Sequence, residues 1–293
     1  MEGLRQTSVE KKEGGKYTQF RLAMGQILVE GGQREANLDR ATQAIAVAGE
    51  RDCRAVVLPE CLDLGWTHPS AREFAEEIPG PGSDRLCQAA AEAGLYVTAG
   101  LTERAGRRIY NAAILINPSG EILLKCRKIN LLEIARMYSV GDRLGVVETP
   151  LGVIGVNICA DNFPTSLAIG HVLARMGAHF ILSPCAWAVP SDFDQTKTPY
   201  GEMWKQAYGK LAQLYGLTVV GVSGVGLMTA GPWKGRRVIG CSLAVGPDGN
   251  ILVQGPYGED AERLIMVTVQ ARPHQVRGTA YADYLKSKGY EGP

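Results

Sequence analysis

The stretch Leu151-Gly-Val-Ile-Gly-Val-Asn-Ile-Cys159-Ala-Asp161-Asn-Phe-Pro164 sits at the middle of a 293-residue chain. Its run from Val153 to Ile158 is short, apolar and bounded by turn residues, the pattern of a buried strand rather than a helix. Pro164, Thr165 and Ser166 read as a helix start, because proline fits the first turn and a hydroxyl can cap free N–H groups. The helix continues from Leu167 to Arg175, Gly177 stops it, and His179 to Ser183 forms the next strand. Cys159 is therefore expected at the carboxyl end of a strand, the edge where open α/β sheets place their ligands. A helix dipole just beyond it would favour thiolate over thiol and lower the cysteine pKa. On this stretch alone, an activated nucleophile and an ordinary buried cysteine fit equally well.

Working outward, Phe20 to Val29 reads as a first strand and Gln33 to Arg51 as a helix whose apolar face recurs at helical spacing. Ala55 to Leu58 is a short buried strand that ends in Pro59-Glu60. Pro79 to Gly82 is a loop, Ser83 to Ala93 a helix and Leu95 to Leu101 a strand. Tyr110 to Ile116 and Glu121 to Lys125 are joined by Asn117-Pro-Ser-Gly120, the turn chemistry of an antiparallel hairpin. A similar unit recurs late, with Gly240 to Gly246, Pro247-Asp-Gly249 and Asn250 to Val253, which suggests two related halves. A helix over Glu202 to Tyr215 and strands over Thr218 to Ser223 and Leu264 to Val269 complete the pattern. Helices alternate with strands and hairpins interrupt them, so the fold class is α/β with mixed sheets. No linker divides the chain. One domain is expected over 19–271, with a polar N-terminal tail over 1–18 and a C-terminal tail over 272–293 that packs at an oligomer interface.

The totals exclude several classes. With 31 basic and 30 acidic residues the formal charge is +1, without the basic excess of a nucleic-acid or membrane-surface protein. Seven cysteines without CxxC fit a reducing cytoplasm better than a disulfide framework. No segment approaches the ~20 apolar residues of a membrane span. There is no paired-histidine helix or other metal-ligand spacing, no GxxxxGK[ST] and no proper GxGxxG, so neither metal nor cofactor is expected. Only His68, His171, His179 and His274 exist. His171 lies mid-helix and His179 opens a strand, which weakens a Cys–His protease reading.

Three ionisable residues end apolar strands: Glu60, Lys128 and Cys159. Amide hydrolysis needs a nucleophile, a base to activate it and a positive group for the developing oxyanion. Taken singly, Glu60 could be a turn carboxylate and Lys128 merely the third cation of Lys125-Cys-Arg-Lys128. Taken in order, Leu58-Pro-Glu60, Arg127-Lys128 and Ile158-Cys159-Ala-Asp161 resemble the motifs of the nitrilase superfamily of carbon–nitrogen hydrolases, over roughly Phe20 to Gln270.

The resemblance implies an αββα sandwich that pairs into a four-layer αββα-αββα core in a homodimer. It implies Cys159 as nucleophile, Glu60 as general base and Lys128 as oxyanion partner, with the backbone N–H of Ala160 as a second oxyanion donor. Glu133 matches a further glutamate that orders the site in many members. Amide-hydrolysing branches often carry Cys-Tyr-Asp-x-Arg-Phe-Pro-Glu, whereas this chain has Cys159-Ala-Asp-Asn-Phe-Pro-Thr165, and Asn130 replaces the usual histidine. Cys159-Ala-Asp-Asn-Phe also partly resembles the Cys-Trp-Glu-Asn-Tyr of nitrilases. The expected activity is hydrolysis of an amide or N-carbamoyl small molecule, with a nitrile or a non-catalytic binding role as alternatives. Asp161, which would orient the nucleophile turn, and Cys185, Trp187 and Tyr200, on the segment after the next strand, are the candidate substrate-side residues. Ordinary core packing explains the aromatic residues equally well.

Overall fold

The computed structural model describes residues 19–292, so the expected N-terminal tail lies outside the described residues. The first half contributes β1 (Phe20–Gln26), α1 (Arg34–Glu50), β2 (Cys53–Val57), α2 (Ala71–Phe74), α3 (Pro81–Ala93), β3 (Tyr96–Ala105), β4 (Arg108–Ile116) and β5 (Ile122–Arg127). The second contributes β6 (Val146–Thr149), β7 (Gly152–Val156), α4 (Leu167–Arg175), β8 (Phe180–Cys185), β9 (Ala188–Val189), α5 (Glu202–Tyr215), β10 (Thr218–Ser223), β11 (Val225–Leu227), β12 (Arg237–Ile239), β13 (Leu243–Val245), β14 (Ile251–Gln254), β15 (Arg263–Val269) and α6 (Ala280–Ser287).

Two six-stranded sheets form, in the orders β15-β1-β2-β3-β4-β5 and β14-β13-β10-β8-β7-β6. In the first, β1, β2 and β3 are parallel, the β4–β5 hairpin runs antiparallel beside β3, and β15 runs antiparallel beside β1. In the second, β7, β8 and β10 are parallel, the β13–β14 hairpin flanks β10, and β6 flanks β7. The two sheets thus share one plan, and the two Pro-x-Gly hairpins occupy equivalent places in it. A small sheet of β11, β12 and β9 lies apart.

Period-2 patterning assigns the faces. In β1, Leu22 and Met24 join the core between the sheets, while Ala23 packs outward with Leu38, Ala41 and Ile45 of α1. In β2, Ala55 and Val57 point inward and Val56 outward. The sheets meet directly, with the rings of Phe20 and Phe180 centred 5.4 Å apart. Helices α4 and α5 cover the outer face of the second sheet through Leu173, Leu211 and Ala212. The layer order is therefore αββα, the sandwich that the motifs imply.

The C-terminal segment is not featureless. Helix α6 buries Tyr281 and Leu285 at i, i+4 spacing, and the ring of Tyr281 meets Tyr215 of α5 at 5.6 Å. Tyr290 stacks on His171 of α4 at 4.7 Å. No helix among the described residues is long and apolar enough to cross a membrane.

Candidate active site

Glu60 follows β2 by three residues and is held by backbone contacts to both sheets. Its N–H donates to the carbonyl of Cys185, at the end of β8, over 3.1 Å. Gly100 of β3 passes directly beneath it, where an added Cβ would lie 2.5 Å from the Glu60 Cα. Only glycine lets β3 approach this turn so closely. The next residue, Cys61, adopts φ +45°.

Lys128 follows β5, and its N–H donates to the carbonyl of Asn111 on β4 over 2.8 Å. Its ammonium donates to Oε1 of Glu60 over 2.5 Å, in a pair that is almost fully buried. The Asn111 amide donates to the same Oε1, also over 2.5 Å. Both donors converge on one oxygen, and Oε2 of Glu60 is buried without a partner. Burial pulls the Lys128 pKa down, but the charges of Glu60 and Cys159 and the hydrogen bond to Glu60 outweigh it, and the ammonium stays charged well into alkaline solution.

Cys159 opens a 3-10 turn, Cys159–Asn162, with φ +46°. A non-glycine residue in this region costs about 1–3 kcal/mol and persists where its surroundings enforce it. The enforcement is visible. The turn leaves the amides of Ile158, Cys159 and Ala160 without partners inside it. The carboxylate of Asp161 accepts from Ile158 N at 3.1 Å, and the Ser183 hydroxyl accepts from Cys159 N at 3.0 Å. The next amide of the turn is that of Ala160. Asp161 also accepts from the backbone N–H groups of Ile129 (3.3 Å) and Asn130 (2.8 Å), and from the Asn130 side chain (3.0 Å). It clips the segment after Lys128 onto the nucleophile turn. Ser183 further accepts from Asn162, which pairs with Asn157.

Contact with the Cys185 thiol, burial and the Glu60 charge all hold the Cys159 pKa well above the ordinary thiol value, and the opposing Lys128 charge is outweighed. This corrects the expectation of a dipole-activated thiolate. A second 3-10 turn, Pro164–Ser166, separates Cys159 from α4, which begins only at Leu167. These surroundings favour thiol over thiolate, so activation calls for a base.

The other candidates are placed as follows. Glu133 lies in the loop after Lys128, its side chain 86% exposed and paired with Arg136, so it is not brought to the other three. Loop solvation wins there, and Asn111 is the residue that fixes Glu60. Cys185 touches the nucleophile and bonds Ser183 and Tyr208 through its sulfur. Trp187 stacks on Trp204 at 4.9 Å, and Trp204 donates to the Tyr200 hydroxyl over 3.0 Å. With Phe163 they form an aromatic wall behind the nucleophile turn.

A cavity lined by Val29, Pro59, Trp66, Met228 and Val238 also touches Glu60 and Cys185. Trp66 also lies 5.8 Å from the Lys128 ammonium. Asn111, Ser183 and Asn162 were not singled out in the sequence, although a polar residue inside the apolar run Ile109 to Ile116 is a usable signal. Among the described residues no group of three His, Cys, Asp or Glu could hold a metal ion.

Comparison with known proteins identifies the family. The chain is 34% identical to the omega-amidase NIT2 of Xenopus tropicalis over 179 residues, 57% of this chain and 64% of that protein. The matched part thus spans under two thirds of that relative. It is 29% identical to the omega-amidase NIT2-B of Xenopus laevis over 256 residues, 82% of this chain and 86% of that one. A mutant of the Nesterenkonia AN1 amidase, from the nitrilase superfamily, shares the fold with TM-score 0.71 at 22% identity, covering 92% of this chain and 93% of that chain. Residues 21–277 match the family Carbon-nitrogen hydrolase, and the chain belongs to that family.

Proposed function

We propose that this protein is a thiol amidohydrolase that cleaves a small-molecule amide or N-carbamoyl compound. The observation that carries the reading is the division of labour at Glu60. Lys128 and Asn111 occupy one oxygen, the other is buried and unpartnered, and the Glu60 charge acts on the Cys159 thiol. That is the arrangement a general base needs.

In this reading Glu60 takes the Cys159 proton as the sulfur attacks the amide carbon. The tetrahedral oxyanion meets the Lys128 ammonium and the Ala160 N–H. Glu60 then passes the proton to the leaving amine, and an acyl-thioester remains. Water, deprotonated by Glu60, attacks the thioester and releases the acid and the Cys159 thiol. The omega-amidase relatives support an amide substrate. Trp187 and Tyr200 support the nucleophile turn from behind. The seven unpaired cysteines support a reducing compartment, the cytoplasm. Val172, Met176 and Met203 on the outer layer of α4 and α5, each more than 40% exposed, support a homodimer.

The test is ammonia release across primary amides, N-carbamoyl amino compounds and nitriles, with Cys159→Ala as control. Release from an amide or carbamoyl class that vanishes in the variant is the expected result. Release from nitriles alone moves the protein to the nitrilase branch. Mass spectrometry of a quenched reaction should find the acyl adduct on Cys159, and an adduct elsewhere overturns the mechanism.

A further inference from the structure

The cavity beside Glu60 is a distinct feature from the aromatic wall of Trp187 and Tyr200, neither of which lines it. Its walls are Val29, Pro59, Trp66, Leu227, Met228 and Val238, with Gly31, Gly65 and Gly224 closing the corners. Glu60 and Cys185, the two residues whose charge and thiol act on Cys159, also line it. Cys159 itself does not line it, but contacts Cys185, which does, so the cavity lies one side chain away from the nucleophile. Its volume is about 30 Å³, two to three times the ~10–15 Å³ that admits one water.

No lysine or arginine lines this cavity. The titratable groups facing it are Glu60, paired with Lys128, the Cys185 thiol and His68. The Ser70 N–H donates to Nδ1 of His68 over 3.3 Å, and burial pushes the ring below the usual histidine range, so His68 is neutral near pH 7. A carboxylate lodged here would lose its water, meet no cation in the walls and face a Glu60 whose Lys128 partner is already engaged.

From this cavity the geometry points to an acyl pocket that selects short, uncharged, branched or linear aliphatic amides and rejects those whose acyl chain ends in a carboxylate. Met228 and Val238 are its specificity-determining residues. The inference rests on the amidohydrolase reading and adds the substrate class.

Isovaleramide and malonamate test it, because an isopropyl group and a carboxylate have nearly the same shape. At pH 7.5, kcat/KM for isovaleramide should exceed that for malonamate by at least about 100-fold, as expected for an unpaired buried charge. Met228→Lys, which puts a cation in the wall, should narrow that ratio at least tenfold. A second readout needs no turnover: isovaleramide should protect Cys159 from alkylation by iodoacetamide, and malonamate should not. Equal or better use of malonamate by the unaltered enzyme overturns the pocket, as does an unchanged ratio in a folded Met228→Lys. Selective protection without hydrolysis of any amide sustains the pocket and overturns the amidohydrolase reading. Absence of both hydrolysis and selective protection overturns both.

Discussion

Replacing Asn111 with leucine isolates the orientation of the general base. The side chains are similar in volume, and the backbone bond from Lys128 N to Asn111 O is untouched. What is lost is the amide donor to Glu60 Oε1, a bond to a charged group worth about 1.5–3 kcal/mol. With one donor left, the carboxylate can rotate and present either oxygen to the thiol. If that stabilisation serves the transition state, 1.4 kcal/mol per decade converts it to a fall in kcat of about 10- to 100-fold. Stability should behave differently. Oδ1 of Asn111 is buried without a donor, a penalty of about 1–3 kcal/mol that leucine removes. The two terms nearly cancel, so the urea midpoint should stay within the equivalent of about 1 kcal/mol. Steady-state ammonia release and urea unfolding on the same preparation give both numbers. Activity within twofold of the parent in the folded variant would refute the assignment of Asn111 as the residue that orients Glu60.

Other perturbations separate charge, clip and burial. Lys128→Met should abolish turnover and destabilise by about 3–5 kcal/mol, because Glu60 is left as an unpaired buried charge. Adding Glu60→Gln should recover most of that stability and none of the activity, as read by urea unfolding and ammonia release. Asp161→Ala orphans four donors and should cost about 2–4 kcal/mol together with at least tenfold in kcat. Asp161→Asn should retain part of both. Asp63 provides a pH test of burial. Burial raises its pKa from 3.8 to about 6, against the hydrogen bonds from Thr102. A carboxyl with a raised folded pKa contributes stability below pH ~4 that is lost as pH rises through ~6. Relative to Asp63→Asn, the parent should therefore lose about 3 kcal/mol between pH 4 and 7. A flat difference across that window refutes the assignment.

The fold was legible where burial wrote period into the sequence. Helices α1, α3 and α5 and the strands of the parallel cores fall within a few residues of the expected bounds, because each buries a full apolar face. The two hairpins were legible from turn chemistry. Strands β9, β11 and β12, of two or three residues, carry too few positions for any period to register. At the site, Glu60, Lys128 and Cys159 were legible as the polar ends of apolar runs. The state of the thiol was not, because it depends on Cys185, a neighbour 26 positions away. Glu133 shows the reverse error: a matching position in a loop does not fix where a side chain points.

Glu60 and Lys128 come from one sheet and Cys159 from the other, and a handful of bonds cross between them: Glu60 N–H to the Cys185 carbonyl, Asp161 to the backbone after Lys128. Catalysis therefore gauges how the two layers are seated. A slip of an ångström along the seam would part base from nucleophile while leaving each layer's own hydrogen bonds whole. On gentle heating or in low denaturant, activity should vanish before the helical signal falls, and return as soon as the layers reseat.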